Sequence, residues 1–229
     1  MFKYDLRKKG YVIFDAFTDE DKKKLNNFAL KWVSGLFGVN YCDQDYNYYH
    51  KWFKNYLFNH DSVLIAKNRH TVPPKKISKL LLDKNKLLHK CLFEYLGNYN
   101  LWNEGLGWLA FRLIRTARYF DGYPPSRKSW GPAKNVYSLF IPILQKDKFC
   151  SIGIIPNSHN KKYKKKLIKK SKFCKEEYRV DESHVLKFKR FDLKNNECLL
   201  FSPDLIHTEM PSIKSKFTRL SLELRFVVN

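Results

Sequence analysis

The feature of this sequence that most constrains its fold is a series of short alternating runs in its second half. From about Trp108 onward the runs are WLAFRLIRTARYF, NVYSLFIPIL, CSIGIIP, HVLKFKRFDL, ECLLFSP and TRLSLELRFVV, separated by turn-forming residues. Alternation of apolar and polar residues with a period of two is typical of strands that bury one face. The pattern predicts a mostly β protein with a jelly-roll or cupin-like core.

The first half is predicted to be mainly helical. Gly10 to Phe17, GYVIFDAF, indicates a short strand, and Thr18 is placed to cap the helix that follows. That helix would bury one face, formed by Leu25, Phe28, Ala29 and Trp32. Residues 45–60 are aromatic and are also predicted to be helical. The leucine-rich segment ISKLLLDKNKLLHKCLFEYLG ends at Gly97, a residue that often terminates helices.

The 229 residues are expected to form a single domain, since no Pro-rich or Gly/Ser-rich linker divides them. We divide this domain into residues 1–107, a helical flanking part with an N-terminal strand, and residues 108–229, the β core. Helices would cover one sheet, and the opposite sheet would enclose a pocket.

The chain carries a formal net charge of +22, which favours polyanionic partners such as nucleic acid. Lysine greatly outnumbers arginine, however, and Asn, Tyr, Phe and Ile are abundant, as in proteins from AT-rich genomes. Readers of nucleic acid rely on arginine for paired contacts. Nucleic-acid binding is therefore an alternative that we do not favour. The dense basic run from Lys161 to Lys172 is interpreted as a solvated loop or helix face.

Cysteine usage and hydropathy indicate a cytoplasmic protein. The five cysteines are scattered and show no CxxC spacing; they are Cys42, Cys91, Cys150, Cys174 and Cys198. A reducing compartment is the simplest interpretation. The N-terminal segment lacks the apolar stretch of a signal peptide, and no window contains the ~18 apolar residues that span a bilayer.

Three motifs in the β half carry the candidate chemistry. GIIPNSH forms a predicted turn ending at His159, FSPDLIHTEMPS places His207 after an apolar strand, and TRLSLELRFVV places Arg219 twelve residues further on. A histidine and an arginine on neighbouring antiparallel strands can point into one barrel, where they could hold a metal and a carboxylate. Each also has a purely structural interpretation: a hydrogen-bonded His207, a His159 that caps its turn, and an Arg219 paired with Glu223.

In this order, Gly10 to Trp32, SRKSWGPAKNVYSLFIPI, GIIPNSH, LLFSPDLIHTEMPS and TRLSLELRF resemble the phytanoyl-CoA dioxygenase-like branch of the iron(II)/2-oxoglutarate oxygenases. The resemblance implies a double-stranded β-helix, with iron(II) and 2-oxoglutarate as cofactors. It implies that His207 is the distal iron ligand and that Arg219 grips the far carboxylate of 2-oxoglutarate. Pro156 to His159 matches a Pro-Gly-Ser-His turn, with Asn157 in place of glycine, and Asn tolerates a positive φ.

The family's first metal ligands form a His-x-Asp motif, and this chain departs from it. Alignment on the strand that ends in IPI puts Ser126 and Lys128 at the two ligand positions. A second register restores a carboxylate at Asp121 but places Tyr119 at the histidine position. At roughly 4 Å and an effective dielectric of about 20, a lysine would repel a divalent ion by on the order of 8 kcal/mol. Poor metal binding is therefore expected.

Three functional hypotheses follow. The first is an iron(II)/2-oxoglutarate-dependent hydroxylase of a small substrate, such as a sugar, an amino acid or a lipid-linked group, with an incomplete metal triad. The second is a non-catalytic descendant that binds an anionic sugar or a carboxylate in the same pocket. The third is a basic nucleic-acid-binding module.

Overall fold

We describe the fold from a computed structural model, which covers residues 2–37, 75–102, 109–114, 128–130, 135–145, 148, 151–162, 165–171, 174–180, 188–209, 214 and 219–228. The helices are α1 (Phe2–Lys9), α2 (Asp19–Phe37), α3 (Lys75–Leu82) and α4 (Leu87–Leu96). None of these four helices is long and apolar enough to cross a membrane.

Twelve strands are described, and every pairing between them is antiparallel. They are β1 (Tyr11–Asp15), β2 (Tyr99–Leu101), β3 (Leu109–Ile114), β4 (Lys128–Trp130), β5 (Val136–Leu144), β6 (Ile152–Ile154), β7 (Lys165–Ser171), β8 (Cys174–Val180), β9 (Lys189–Arg190), β10 (Glu197–Phe201), β11 (His207–Glu209) and β12 (Arg219–Val228). The protein is thus strand-rich in its second half, as the alternating runs predict.

The N-terminal strand and helix agree with the sequence prediction. The backbone N–H of Asp21 donates to Thr18 Oγ1 at 3.2 Å, so Thr18 caps α2. Leu25 and Ala29 are fully buried on the predicted face, with Phe28 partly buried beside them. The side chain of Trp32 lies outside the described residues, as do residues 45–60 with their predicted helix.

The leucine-rich segment forms two helices, α3 and α4. Between α3 and α4 the Asn85 N–H donates to Asp83 Oδ1 at 3.0 Å, a local turn that competes with helix continuation. The second helix ends at Gly97, as predicted: its φ is +73°, and its N–H donates to the Phe93 carbonyl at 2.8 Å.

One large sheet organises the described residues. Its strand order is β1-β10-β5-β12-β2, and β3 also pairs with β12. The long strand β12 pairs with β5 along one side, and with β3 and then β2 along the other. Both β1 and β2 come from the first 107 residues, so the helical half contributes two strands to this sheet.

Two three-stranded sheets accompany the large one. Their orders are β11-β6-β9 and β4-β8-β7, and they meet where β4 lies beside β11. The basic run contributes β7, which forms the edge of its sheet, so the predicted loop or helix face is wrong there. Lysines are common on edge strands because their charge opposes pairing with another chain. Because this run contains few apolar residues, its hydropathy pattern does not indicate a strand.

The large sheet separates two apolar clusters. The outer cluster packs it against the helices and includes Leu25, Leu81, Leu139, Leu200 and Leu222. The inner cluster lies on the opposite face, which we call the inner face, and joins it to the β11-β6-β9 sheet. The inner cluster consists of Phe140, Ile152, Ile154, Phe191, Leu193, Leu199, Phe201 and Leu205.

A charged side chain is buried between helix α2 and the large sheet. Lys22 is 1% exposed, and its Nζ donates to the carbonyl of Pro142 and lies 5.5 Å from the centroid of the Phe17 ring. Burial lowers the pKa of Lys22 to about 8. The proline has no N–H for the ladder, and β5 carries an irregularity beside it, where Leu220 pairs with Leu144 but Ser221 pairs with Pro142.

Candidate functional site

Arg219 begins β12 and lies on the inner face of the large sheet. It is 1% exposed, and its guanidinium carbon lies 5.2 Å from the centroid of the Phe140 ring in the inner cluster. Its neighbour Leu220 packs in the outer cluster, as alternation along a strand requires. The structure therefore places the predicted carboxylate-binding arginine inside the protein, with its planar cation next to an aromatic ring.

Ser221 is a candidate that the sequence analysis missed. It follows Arg219 by two residues on the same strand and therefore shares its face. The residue is fully buried, and its Oγ has no hydrogen-bond partner among the described residues. A buried hydroxyl normally has a partner, so this one is available to a ligand. The signal was the alternation in TRLSLELRF, which puts this serine beside the arginine.

The same face continues with an ion pair. Arg225 Nη2 lies 2.8 Å from Glu223 Oε1, and the two side chains are 8% and 17% exposed. The sequence analysis considered Glu223 as a partner for Arg219, whereas the structure pairs it with Arg225. Arg219, Ser221, Glu223 and Arg225 thus form one polar row, which we call the β12 row.

His207 begins β11 and lies against the other side of the inner cluster. Its Nδ1 is 2.8 Å from the Leu205 carbonyl oxygen, so Nδ1 carries the proton in the neutral ring and Nε2 is the basic nitrogen. The imidazole packs on the Phe201 ring with centroids 4.7 Å apart. Phe201 and Phe140 lie on the adjacent strands β10 and β5, so His207 and Arg219 each contact an aromatic ring of the same inner cluster.

The turn from Pro156 to His159 supports the strand that carries His207. Asn157 has φ +63°, the positive value that its replacement of glycine allows. Ser158 Oγ accepts a hydrogen bond of 2.8 Å from the N–H of Ile206, the residue before His207. His159 Nε2 donates to the Arg7 carbonyl at 2.7 Å, so this ring ties the turn to α1 rather than capping it.

The residues expected at the missing ligand positions are only partly described. Ser126 lies outside the described residues, as do Tyr119 and Asp121 of the alternative register. The backbone of Lys128 is described: it begins β4, pairs with Arg179 on β8, and lies beside the strand of His207.

These residues do not fit a facial-triad iron site. Within the described parts of the chain, no three His, Cys, Asp or Glu side chains come together to hold a metal ion. The sequence contains no histidine between His89 and His159, the region where the family places its first ligand. A facial triad needs two histidines and one carboxylate. Of the residues that the structure describes, only His207 has a ligand side chain at a position aligned with this motif.

No protein-family model matches this sequence, and no curated protein matches it. Solved structures do match it along nearly its whole length. EctD from S. alaskensis, solved with 2-oxoglutarate and 5-hydroxyectoine, has a TM-score of 0.59 at 13% identity, covering 99% of this chain and 74% of its own. AviO1 from Streptomyces viridochromogenes Tue57 has a TM-score of 0.59 at 12% identity, and the match covers 99% of this chain and 93% of AviO1.

A third structure is the non-heme alpha ketoglutarate dependent epimerase SnoN from nogalamycin biosynthesis. It has a TM-score of 0.60 at 11% identity and covers 99% of this chain and 79% of its own. EctD has been solved with bound Fe, and SnoN in complex with Fe3+ and alpha ketoglutarate. At these identities the likeness establishes a shared fold, which is that of iron- and 2-oxoglutarate-binding enzymes.

Proposed function

We propose that this chain is a phytanoyl-CoA dioxygenase-like protein that binds a small carboxylate, such as 2-oxoglutarate, through Arg219 without a facial-triad iron. In this proposal the chain is one domain with a double-stranded β-helix core. The observation that carries it is the buried guanidinium of Arg219 on the inner face, in the fold of 2-oxoglutarate-binding enzymes. Within the described parts of the chain, no group of His, Cys, Asp or Glu side chains is placed to hold the iron that those enzymes bind.

The physical basis is a paired, charge-assisted contact. A guanidinium presents two parallel N–H groups to the two oxygens of a carboxylate, and a lysine ammonium cannot copy this geometry. Burial strengthens the contact, because the surroundings screen charge less than water does. Ser221 adds a hydroxyl donor on the same face, two residues along the strand.

Thermal unfolding with and without 2-oxoglutarate tests this proposal. A ligand that binds only the native state raises the melting temperature. We expect 2-oxoglutarate to stabilise the native protein in the presence of a chelator, and Arg219→Lys to abolish most of the shift. Arg7→Lys is the matched control, because Arg7 is exposed on α1 and should leave the shift unchanged. An equal shift in native protein and Arg219→Lys would contradict the proposal.

The second candidate function is an iron(II)/2-oxoglutarate-dependent hydroxylase of a small substrate. The fold and the position of His207 on β11 favour it. It requires two further ligands from outside the described residues. Metal dependence separates the two candidates: the hydroxylase would bind 2-oxoglutarate tightly only with iron(II) or a substitute ion, whereas the carboxylate-binding protein would bind it equally with a chelator present.

We also propose a cytoplasmic location. Cys91 and Cys198 are both free thiols, as in proteins of reducing compartments.

A further inference from the structure

The β12 row extends well beyond the carboxylate site. Its four polar residues alternate with Leu220, Leu222, Leu224 and Phe226, which all pack in the outer cluster. Arg219 and Ser221 form the first half of the row, and Glu223 and Arg225 form the second. Glu223 lies opposite Phe140 and Arg225 lies opposite Ser138 across the ladder with β5. Opposed residues share a face, so the whole row lies on the inner face.

Burying the Glu223–Arg225 pair is costly without a compensating role. Removing two charges from water carries a desolvation penalty that their mutual attraction only partly offsets, so apolar residues would often serve stability as well. The carboxylate keeps 17% of its side-chain surface exposed, whereas the guanidinium keeps 8%. The arginine thus holds the carboxylate in place and leaves Glu223 the more accessible member of the pair.

The spacing along the strand defines the size of ligand that could reach both ends. Arg219 and Glu223 are four residues apart, which corresponds to about 13 Å of extended strand. If the side chains of Arg219 and Glu223 lean toward each other, the distance between their charged groups is shorter than this and matches a ligand of several carbon atoms. A ligand with a carboxylate on Arg219 would therefore bring its far end to Glu223.

The charges of the row indicate what that far end is. A second carboxylate would meet the carboxylate of Glu223. A cationic amine would be repelled, because the row has two guanidinium groups against one carboxylate and the chain has a net charge of +22. An uncharged hydroxyl donates to a carboxylate oxygen without either repulsion, and hydrogen bonds to charged groups are the stronger ones.

We infer that the β12 row is one extended site for hydroxylated carboxylic acids, the class of sugar acids, in which Glu223 accepts hydrogen bonds from the ligand's hydroxyl groups. Arg225 is a positioning residue that fixes the Glu223 carboxylate. The inference rests on the proposed function, because Arg219 anchors the carboxylate end of the same ligand.

A matched series of six-carbon probes tests the inference by calorimetric titration of the native protein. Hexanoate carries the carboxylate alone, sorbitol the hydroxyls alone, gluconate both, 6-aminohexanoate a far amine, and glucarate a far carboxylate. We expect gluconate to bind about tenfold more tightly than hexanoate, since its far hydroxyls add charge-assisted hydrogen bonds. Glucarate, 6-aminohexanoate and sorbitol should all bind more weakly than gluconate.

Glu223→Gln should reduce the preference for gluconate over hexanoate to within about twofold, because it removes the charged acceptor. It should leave hexanoate binding unchanged, a split that general destabilisation would not produce. Glu20→Gln is the matched control, since Glu20 is 76% exposed on α2 and should alter neither affinity. The probe series on native protein remains decisive if Glu223→Gln does not fold.

The outcomes separate this inference from the proposed function. If 2-oxoglutarate and hexanoate bind through Arg219 but gluconate gains nothing, the extended site is wrong and the carboxylate site stands. Tighter binding of glucarate or 6-aminohexanoate than of gluconate would overturn the hydroxyl assignment. If none of the acids binds native protein, the proposed function fails together with the inference.

Discussion

Arg219 and Phe140 are in contact across the neighbouring strands β12 and β5, with the guanidinium carbon 5.2 Å from the ring centroid. This ring supports the plane of the cation in a desolvated setting, where such contacts are strongest. We predict that Phe140→Leu weakens 2-oxoglutarate binding by about fivefold or more. The measurement is calorimetric titration of native and variant protein.

Phe14→Leu is the matched control for this substitution. Phe14 is buried in the outer cluster, on the helix side of the sheet, so both variants lose a ring from an apolar core. Each should lower the free energy of unfolding by about 1–2 kcal/mol. Unchanged affinity in Phe140→Leu, or an equal loss of affinity in Phe14→Leu, would show that the ring does not support the site.

The buried ammonium of Lys22 predicts a rise in stability with pH. The folded state has a pKa of about 8 against an ordinary 10.5, so between these values the unfolded chain binds more protons. Stability therefore rises as pH rises from 8 toward 10.5. Lys22 alone should make the native state about 1 kcal/mol more stable at pH 9 than at pH 7. Urea unfolding at both pH values measures this difference.

Lys22→Met supplies an unbranched side chain one atom shorter and removes the charge, so this pH dependence should disappear. The comparison stops at pH 9 because of Cys198. Burial raises the pKa of its thiol to about 12 from an ordinary 9, so at higher pH this thiol lowers stability while Lys22 raises it. A thiol that resists ionisation in the folded state makes stability fall as pH rises through that range. An unchanged slope in Lys22→Met between pH 7 and 9 would mean that Lys22 is not the group that titrates.

Gly10 is predicted to be intolerant of any side chain. A Cβ there would lie 2.6 Å from Leu205 Cδ1 and would clash with the His159 ring, and the φ of +82° is already strained for other residues. We expect Gly10→Ala to lower the free energy of unfolding by about 2–4 kcal/mol. Gly97→Ala is the control, since Gly97 has φ +73° but nothing within 4 Å of its Cβ position. Equal losses in the two variants would show that the His159 turn is not packed on Gly10.

The charge of +22 is predicted to give only weak, nonspecific binding to duplex DNA. Contacts between lysines and phosphates release counterions, so such binding falls steeply as salt increases. A filter-binding titration at several salt concentrations measures this dependence. Tight, sequence-dependent association at physiological salt would favour the nucleic-acid module instead.

Much of the fold follows from sequence patterns that report burial directly. The short apolar-rich runs predict β5, β10 and β12 because these strands are buried. Thr18 and Gly97 indicate helix ends because Thr18 supplies a capping hydroxyl and Gly97 adopts a positive φ. The lysine-rich strand β7 was missed because its residues carry no apolar alternation. Strand pairing there depends on contacts with β8, which a single-sequence pattern does not contain.

In the site too, features set by local sequence could be predicted, whereas features set by contacts between distant residues could not. Asn157 and its positive φ could be predicted from the turn motif alone. The Glu223–Arg225 pair could not, because three charged residues on one face allow more than one pairing. The buried Lys22 was not predicted, although it lies at helical spacing from the buried Leu25 and Ala29. Its burial depends on the carbonyl of Pro142, far away in sequence.

Metal titration tests most directly whether this chain has a carboxylate site without a facial triad. The variants are Ser126→His, Lys128→Asp and the double variant, each titrated with manganese by calorimetry beside the native protein. The double variant should gain metal affinity, since it would restore two histidines and one carboxylate together with His207. Neither single variant should suffice: one keeps the lysine's charge, and the other supplies only two protein ligands.

The native protein is the decisive sample in that titration. We predict that it shows no tight binding of iron(II) or manganese, while it still binds 2-oxoglutarate with a chelator present. Tight one-to-one metal binding by the native protein would contradict this proposal, because residues other than Ser126 and Lys128 would then complete the site around His207.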